Sequence, residues 1–162
     1  MQISELLNKP YTDGKQDCYG LALQYYENEY GLTLRNYARP LGFDQADLPL
    51  LDENFQREGF QSLGIPALSS LERGDGLLFN LFRGKYVNHV GIYIGNGYFI
   101  HHLYQKVSVC DRLDARWYNR VMRVVRHPDV TFENSRRISK VSILDLLPPH
   151  LQGIFTPTTE LG

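Results

Sequence analysis

A cysteine at a predicted helix start and histidines in predicted strands are the residues of this chain whose types suit nucleophilic catalysis. Cys18 follows Asp17, a residue type favoured at helix N-caps, so the thiol is predicted to lie in the first helical turn. The unpaired N–H groups and the dipole of a helix N-terminus stabilise an anion, which favours thiolate over thiol. The sequence therefore predicts Cys18 as a nucleophile with a stabilised thiolate.

A thiolate nucleophile needs a nearby base to complete proton transfer, and the base needs a third group to orient it. His89 is the candidate base because it opens the predicted strand "NHVGIYIG", where His89, Gly91 and Tyr93 share one face. The glycine on that face leaves space beside the imidazole. We therefore expect His89 to meet a partner across open space.

The third group is expected on the next strand, and the turn between the strands decides which histidine it is. A two-residue type I′ loop made by Asn96 and Gly97 would place His102 on the face of His89. A three-residue loop over residues 95–97, with a G1 bulge, would place His101 there instead. Asn-Gly is the stronger local signal and favours the first arrangement, but patterning alone leaves both histidines open.

The chain has two cysteines, Cys18 and Cys110, and its 162 residues can form a core without a disulfide. We therefore expect two free thiols, with Cys110 buried in a strand. The sequence has no C-x-x-C or H-E-x-x-H motif, and the adjacent His101 and His102 would point to opposite faces of a strand. These patterns predict neither a metal site nor an organic cofactor.

The composition is that of a single globular domain, with 43% hydrophobic residues and a net charge of −1. Lys and Arg are scattered, so the charge pattern argues against nucleic-acid binding. No apolar run approaches the roughly 20 residues that a membrane span needs. The opening "MQISELLNKP" lacks the basic and apolar regions of a signal peptide, so none is expected.

The predicted elements place helices before strands. An amphipathic helix is predicted over residues 17–30, ending at Gly31, and a second helix between Pro49 and Gly59. Five predicted strands follow, in "GLLFNLF", "NHVGIYIG", "YFIHHLY", "KVSVC" and "RVMRVVRH". This order is typical of an α+β fold in which N-terminal helices pack on an antiparallel β-sheet.

The chain divides into a predicted domain over residues 1–127 and a C-terminal appendage over residues 128–162. The appendage is polar at first and then contains "ISKVSILDLLPPHLQGIF", an apolar stretch that Pro148 and Pro149 interrupt. Two interpretations of residues 138–155 remain open. The stretch either docks on another protein or packs back on the domain as a terminal helix.

Three blocks of the sequence resemble signatures of the NlpC/P60 cysteine peptidases. "DCYGLALQYY" is similar to D-C-x-G-[LF] at a helix start, and "RGDGLLF" is similar to G-D-x-[LV]-x-F at a strand start. "NHVGIYIGNGYFIHHL" is similar to N-H-V-G-I-Y-[LI]-G-x-G-x-[FM]-[IVL]-H. The blocks occur in the family's order over roughly residues 10–126. The resemblance implies a papain-like version of the α+β fold.

The resemblance also implies a role for each matched residue. Cys18 would be the nucleophile and His89 the base, and the polar third residue, twelve positions after the base, would be His101. This assignment supports the bulged register over the one that selects His102. Tyr11 in "KPYTDG" matches a tyrosine that helps to hold the oxyanion, together with a backbone N–H near the start of the helix.

Within the family, "DCYGL", "LTLRNYAR" and "FIHHL" resemble the branch found in the tail tips of long-tailed phages. The resemblance implies hydrolysis of an amide bond in peptidoglycan stem peptides, next to D-glutamate and a diamino acid. It implies other tail-tip proteins as partners and a location in the virion tail tip after synthesis in the host cytoplasm. Two alternatives are a tail assembly protein with a vestigial or maturation-only site, and an acyltransferase or another amidase on the same scaffold.

Overall fold

A computed structural model describes residues 3–136 of the chain. Three α-helices occur there: α1 (Cys18–Tyr30), α2 (Leu50–Arg57) and α3 (Ala115–Tyr118). Three 3-10 helices occupy Ile3–Leu6, Phe43–Gln45 and Leu68–Ser70. Within the described residues, no helix combines the length and the apolar character that crossing a bilayer requires.

Six strands form one sheet. They are β1 (Gln61–Ser62), β2 (Gly76–Phe79), β3 (His89–Gly95), β4 (Tyr98–His101), β5 (Val109–Arg112) and β6 (Val121–Arg126). Their order in the sheet is β1-β6-β2-β3-β4-β5, and all neighbours are antiparallel. The predicted α+β fold, with the larger helices preceding an antiparallel sheet, is confirmed.

The sheet is covered on both faces because its inner strands alternate two sets of apolar side chains. On one face α1 packs against β3, and α2 joins the same core. The sheet residues of this core are Leu78, Val90, Ile92, Ile100 and Val125. On the other face a second core surrounds Phe79, Phe99 and Val124, with Trp117 of α3 packed against it.

Helix α1 has the two ends that the sequence predicts. The Asp17 carboxylate accepts a hydrogen bond from the Gly20 N–H at 2.8 Å, which satisfies an unpaired donor of the first turn. At the other end Gly31 takes a left-handed conformation with φ of 64°. The helix therefore starts at Cys18, as the N-cap signal predicts.

The turn between β3 and β4 contains two residues. Asn96 and Gly97 have φ angles of 55° and 81°, the positive values that a type I′ turn requires. They connect Gly95 and Tyr98, which pair across the two strands. The local preference for a two-residue Asn-Gly loop is confirmed.

The register of β3 and β4 shifts beside this turn, between Tyr93 and Gly95. The irregularity adds one residue to β3, so Gly91 pairs with His101. The expectation that a two-residue loop would put His102 opposite Gly91 is therefore wrong. The pairing of Gly91 with His101, which was expected for the bulged register, is observed. The extra residue lies in β3, before the loop, and not within the loop.

Residues just past the predicted boundary at residue 127 pack on the domain. Val130 is buried in the core beneath α1, and Ser135 is buried as well. The Arg136 N–H donates to the Glu29 carbonyl at 2.6 Å. The boundary stays a prediction, and the apolar stretch of residues 138–155 lies outside the described residues.

Candidate active site

The Cys18 thiol is buried beside strand β3. Cys18 is the first residue of α1 and is 1% exposed. The sulfur accepts a backbone hydrogen bond from Val90, which directly follows His89 in β3. Within residues 3–136, no hydrogen bond joins this sulfur to the His89 ring, whose own partner is His101. The structure therefore brings the thiol next to the strand position of His89 without a direct thiol–imidazole hydrogen bond.

The electrostatic environment of Cys18 favours the neutral thiol. Burial raises its pKa well above the ordinary value, and the adjacent Asp17 carboxylate raises it further. The Val90 backbone hydrogen bond and the Arg39 charge act in the opposite direction but are weaker. The expectation of a stabilised thiolate at the helix start stays a prediction, and the burial of Cys18 beside the Asp17 carboxylate acts against it.

Asp17 is held by a buried ion pair. Arg39 Nε lies 2.9 Å from Asp17 Oδ2 and Arg39 Nη2 lies 3.1 Å from Oδ1, with both side chains fully shielded from solvent. Arg39 also donates to Asn36 Oδ1 and to the Tyr37 carbonyl, each at 2.8 Å. This bidentate pair fixes the residue before Cys18, and nothing in the sequence singled out Arg39 as its partner.

Two histidines and an aspartate form a hydrogen-bonded chain. His89 Nε2 lies 2.9 Å from His101 Nδ1, and His101 Nε2 lies 2.7 Å from Asp111 Oδ2. Burial lowers the pKa of both imidazoles, while Asp111 partly opposes this effect at His101. The structure thus joins His89 and His101 as expected and adds Asp111, which sequence reasoning missed.

Aromatic rings hold His101 in place. Its ring centroid lies 4.4 Å from that of Phe99 and 4.9 Å from that of Trp117. A Cβ atom built on Gly91 would lie 2.8 Å from Phe99 Cδ2 and 3.2 Å from Phe79 Cε2. The space expected to be open beside His89 is therefore filled, and the glycine serves to admit these rings.

His102 has different partners. Its Nε2 atom lies 2.9 Å from the Lys106 carbonyl oxygen, so the ring is tied to the loop after β4. Its other notable contact is an edge-to-face packing with Tyr11, at 5.4 Å between centroids. The His89 hydrogen bond therefore selects His101, which sequence patterning alone could not do.

Tyr11 lies near the thiol and contacts carboxylates. Its hydroxyl is 3.4 Å from Asp13 Oδ1 and 3.5 Å from both carboxylate oxygens of Asp44. Burial raises the pKa of Tyr11, and the Asp44 carboxylate raises it further. The hydroxyl therefore remains neutral and able to donate a hydrogen bond.

Asp44 is a buried acid that the sequence analysis did not identify. It lies in the 3-10 helix Phe43–Gln45 and is 3% exposed. Burial raises its pKa to about 6, with further contributions from Asp13 and Asp17. Its segment lies between the two predicted helices, and no spacing signal connects it with Cys18.

A groove of about 300 Å³ opens next to these residues. His89 lines it, so the groove reaches the candidate base. Its walls combine apolar and charged groups, among them Asp44, Phe82, Asn88, Tyr104 and Lys106.

Cys110 directly precedes Asp111 in the edge strand β5, but its side chain lies on the opposite face of the strand and is exposed. The expectation that it is buried is wrong, because β5 has a neighbouring strand on one side only. Within the part of the chain that the structure describes, no cluster of three or more His, Cys, Asp or Glu residues could hold a metal ion.

A family model and two phage proteins match this chain. The sequence model of the NlpC/P60 family matches residues 8–126. The chain is 28% identical over 126 residues to the tail tip assembly protein K of Escherichia phage N15, and 27% identical over 125 residues to that of phage lambda. Each match covers 77% of this chain, and the chain spans only 50% and 60% of those relatives.

Solved structures show the same fold. The NlpC/p60 domain of the peptidoglycan hydrolase SagA has a TM-score of 0.50 and 19% identity, covering 76% of this chain and 91% of that domain. An NLP/P60-family protein of Staphylococcus aureus also has a TM-score of 0.50, with 21% identity. That match covers 75% of this chain and 37% of the other. At these identities the likeness establishes the fold.

Proposed function

Because this chain belongs to the NlpC/P60 family, we propose that it is a cysteine peptidase that hydrolyses an amide bond in peptidoglycan stem peptides. The observation that carries the proposal is the hydrogen bond between His89 and His101 beside the helix that begins with Cys18. Triads of a nucleophile, a base and an orienting group recur on unrelated folds, and these residues supply all three types. The proposed scissile bond lies next to D-glutamate and a diamino acid.

In the proposed reaction the Cys18 sulfur attacks the scissile carbonyl carbon while its proton passes to His89. The imidazolium then returns the proton to the leaving amine, and water hydrolyses the resulting thioester. The shift of the Cys18 pKa upward and of the His89 pKa downward supports a neutral resting pair. Attack and proton transfer are therefore coupled. Substrate binding must bring the two groups within hydrogen-bond reach, since such contacts tighten in enzyme–substrate complexes.

Two donors are proposed for the developing oxyanion. One is the backbone N–H of Cys18, at the positive end of α1. The other is the Tyr11 hydroxyl, whose contacts with Asp44 at 3.5 Å are long for O–H···O hydrogen bonds. A Tyr11 hydroxyl held this weakly can turn to an oxyanion at little cost.

The proposed setting is the tail tip of a phage, where the enzyme opens the cell wall during genome entry. The relatives from phages N15 and lambda are tail tip assembly proteins, which supports this location and other tail-tip proteins as partners. Synthesis in the host cytoplasm follows from the same setting.

A second candidate is a tail assembly protein that does not use this site for hydrolysis during infection. One observation favours it, since Cys18 is buried and makes no hydrogen bond with the His89 ring in the described structure. Under this proposal the site is vestigial or is used only during maturation.

Digestion of purified peptidoglycan, followed by mass spectrometry, tests both candidates. The wild-type chain is expected to release fragments whose masses fit addition of water across one stem-peptide bond. Cys18→Ala should release none, and Cys110→Ala should match the wild type because the Cys110 side chain is exposed on the face of β5 opposite to Asp111. Transfer products without the added water would indicate an acyltransferase, and no products from the wild type would favour the assembly role.

A further inference from the structure

The hydrogen-bonded chain that starts at His89 ends on a carboxylate. Asp111 lies in the edge strand β5, where it pairs with Phe99 of β4. Its Oδ2 atom is 2.7 Å from His101 Nε2, while 41% of its side chain is exposed. One end of Asp111 thus contacts a fully buried imidazole and the other contacts water.

The carboxylate determines which nitrogen of His101 carries the proton. An ionised carboxylate only accepts hydrogen bonds, so the nitrogen facing it must be Nε2–H. In the neutral ring Nδ1 is then unprotonated and must accept its hydrogen bond from the neighbouring histidine. The 2.9 Å contact therefore requires Nε2–H on His89, which leaves His89 Nδ1 with a free lone pair.

We propose that Asp111 is a positioning residue that fixes the protonation pattern of the two histidines and so makes Nδ1 of His89 the basic nitrogen. The effect of Asp111 on catalysis rests on the proposed function, because it requires His89 to act as the base. The tautomers themselves are a property of the resting protein. Asp111 acts through His101 and does not touch the reacting atoms.

The same arrangement stabilises the charge that forms during catalysis. When Nδ1 of His89 takes the thiol proton, both of its nitrogens carry hydrogen and the ring is positive. Its Nε2–H still donates to His101 Nδ1, and His101 still donates to Asp111, so no proton has to move along the chain. The negative charge of Asp111 thus faces the imidazolium through one oriented ring.

Asp111 is the group beside His101 that can accept the hydrogen bond from Nε2–H. Among the described residues, the aromatic rings packed on it besides His89 are those of Phe99 and Trp117, with centroids 4.4 and 4.9 Å away. These rings restrict the tilt of His101 but offer no acceptor in the plane of Nε2–H. Without Asp111, water at the exposed edge could face Nε2 as donor or as acceptor, and either tautomer would be satisfied.

Nitrogen-15 NMR of the full chain in its resting state reports the tautomers directly. In the wild type both His89 and His101 are expected to be Nε2–H tautomers. Asp111→Ala should convert His101 to a mixture and lower kcat/KM on a stem peptide by about tenfold or more. Asp111→Thr, which keeps a β-favouring residue at the edge, should do the same because its hydroxyl is too short to reach the ring.

Glu53→Ala is the matched control, since it removes a carboxylate from an exposed ion pair with Arg57 on α2. It should change neither the tautomers nor kcat/KM. A wild-type His101 in the Nδ1–H form, or a folded Asp111 variant with unchanged tautomers, would overturn the proposal. A wild-type protein with the expected tautomers that cleaves no stem peptide would overturn the proposed function and leave the positioning role intact.

Discussion

His89 and His101, on neighbouring strands, share a hydrogen bond of 2.9 Å between Nε2 of the first and Nδ1 of the second. The bond exists because the register shift before the β3–β4 turn pairs His101 with Gly91. His102 follows His101 directly but is tied to the Lys106 carbonyl instead. The two adjacent histidines therefore have different hydrogen-bond partners.

His101→Ala is therefore expected to lower turnover on peptidoglycan by about 10²-fold or more, because the base loses its orienting partner. His102→Ala should lower it far less, since His102 lies outside the hydrogen-bonded chain. The measurement is kcat for both variants, with thermal melting to normalise for folded protein. The reverse order of effects would show that the family assignment at His101 is incorrect.

Cys18→Ala should abolish hydrolysis and leave the protein folded. The side chain is buried, so losing its sulfur should cost on the order of 1–2 kcal/mol of unfolding free energy. Chemical denaturation and a peptidoglycan digest measure the two effects. Cys110→Ala, in the exposed edge strand, serves as the comparison and should change neither the unfolding free energy nor the hydrolysis. A Cys18→Ala protein that still cleaves would refute the nucleophile assignment.

Alkylation of Cys18 should be slow near neutral pH and should accelerate steadily up to pH 9. The pKa of this thiol is raised, so the reactive thiolate is a minor form that grows about tenfold per pH unit. Iodoacetamide labelling of Cys110→Ala, followed by peptide mass spectrometry, isolates this one thiol. A rate that is already constant below pH 7 would reveal a thiolate–imidazolium pair in the resting protein.

Asp44→Asn should become more stabilising relative to the wild type as pH rises from 4.5 to about 6.5. The Asp44 pKa is raised to about 6 in the folded protein, from 3.8. The folded state therefore keeps a proton there that the unfolded state has lost, and stability falls as pH rises through this window. The difference between the two unfolding free energies measures the effect and cancels the shared histidine titrations.

Asp47→Asn is the control for that experiment. The Lys85 and Tyr86 N–H groups donate to the Asp47 carboxylate and lower its pKa. Its contribution to stability is lost only when pH falls below the ordinary range of an aspartate, so the Asp47→Asn difference should stay constant from pH 4.5 to 6.5. Parallel curves for both variants would contradict the burial argument for Asp44.

A chain that ends after Arg136 should stay folded and keep its hydrolytic activity but fail to join the phage tail. We expect residues 138–155 to dock on another tail protein, and thermal melting, digestion and tail incorporation test the three effects. A chain that ends after Pro128 is the contrast, because it also loses Val130, whose burial contributes about 1.5–3 kcal/mol. If the chain that ends after Arg136 melts far below the wild type, the residues removed from it belong to the core.

Local signals predicted those features that depend on neighbouring residues. The Asp17 cap, the Gly31 end of α1 and the Asn96–Gly97 turn each follow from the conformational preferences of a few side chains. The bulge next to that turn was not predictable locally. Its consequence, the pairing of Gly91 with His101, was reached from the family motif.

Features that depend on distant contacts were missed or misjudged. Asp111 follows directly on the predicted strand "KVSVC", and only the β4–β5 register shows that it shares a face with His101. Asp44 and Arg39 lie in a segment without periodicity, so their approach to the start of α1 left no local signal. The burial of Cys18, which opposes the thiolate expected at a helix start, depends on such distant contacts and left no local signal.

The last strand of the sheet, β6, occupies an inner position between β1 and β2. During translation β2 and β3 leave the ribosome well before β6, so the outer edge of β2 has no partner until residues 121–126 have been made. That strand carries Leu77 and Phe79, both fully buried once the sheet is complete. A nascent chain that pauses before residue 121 therefore presents an apolar edge to other chains, and we expect the yield of native protein to depend on how fast this stretch is synthesised.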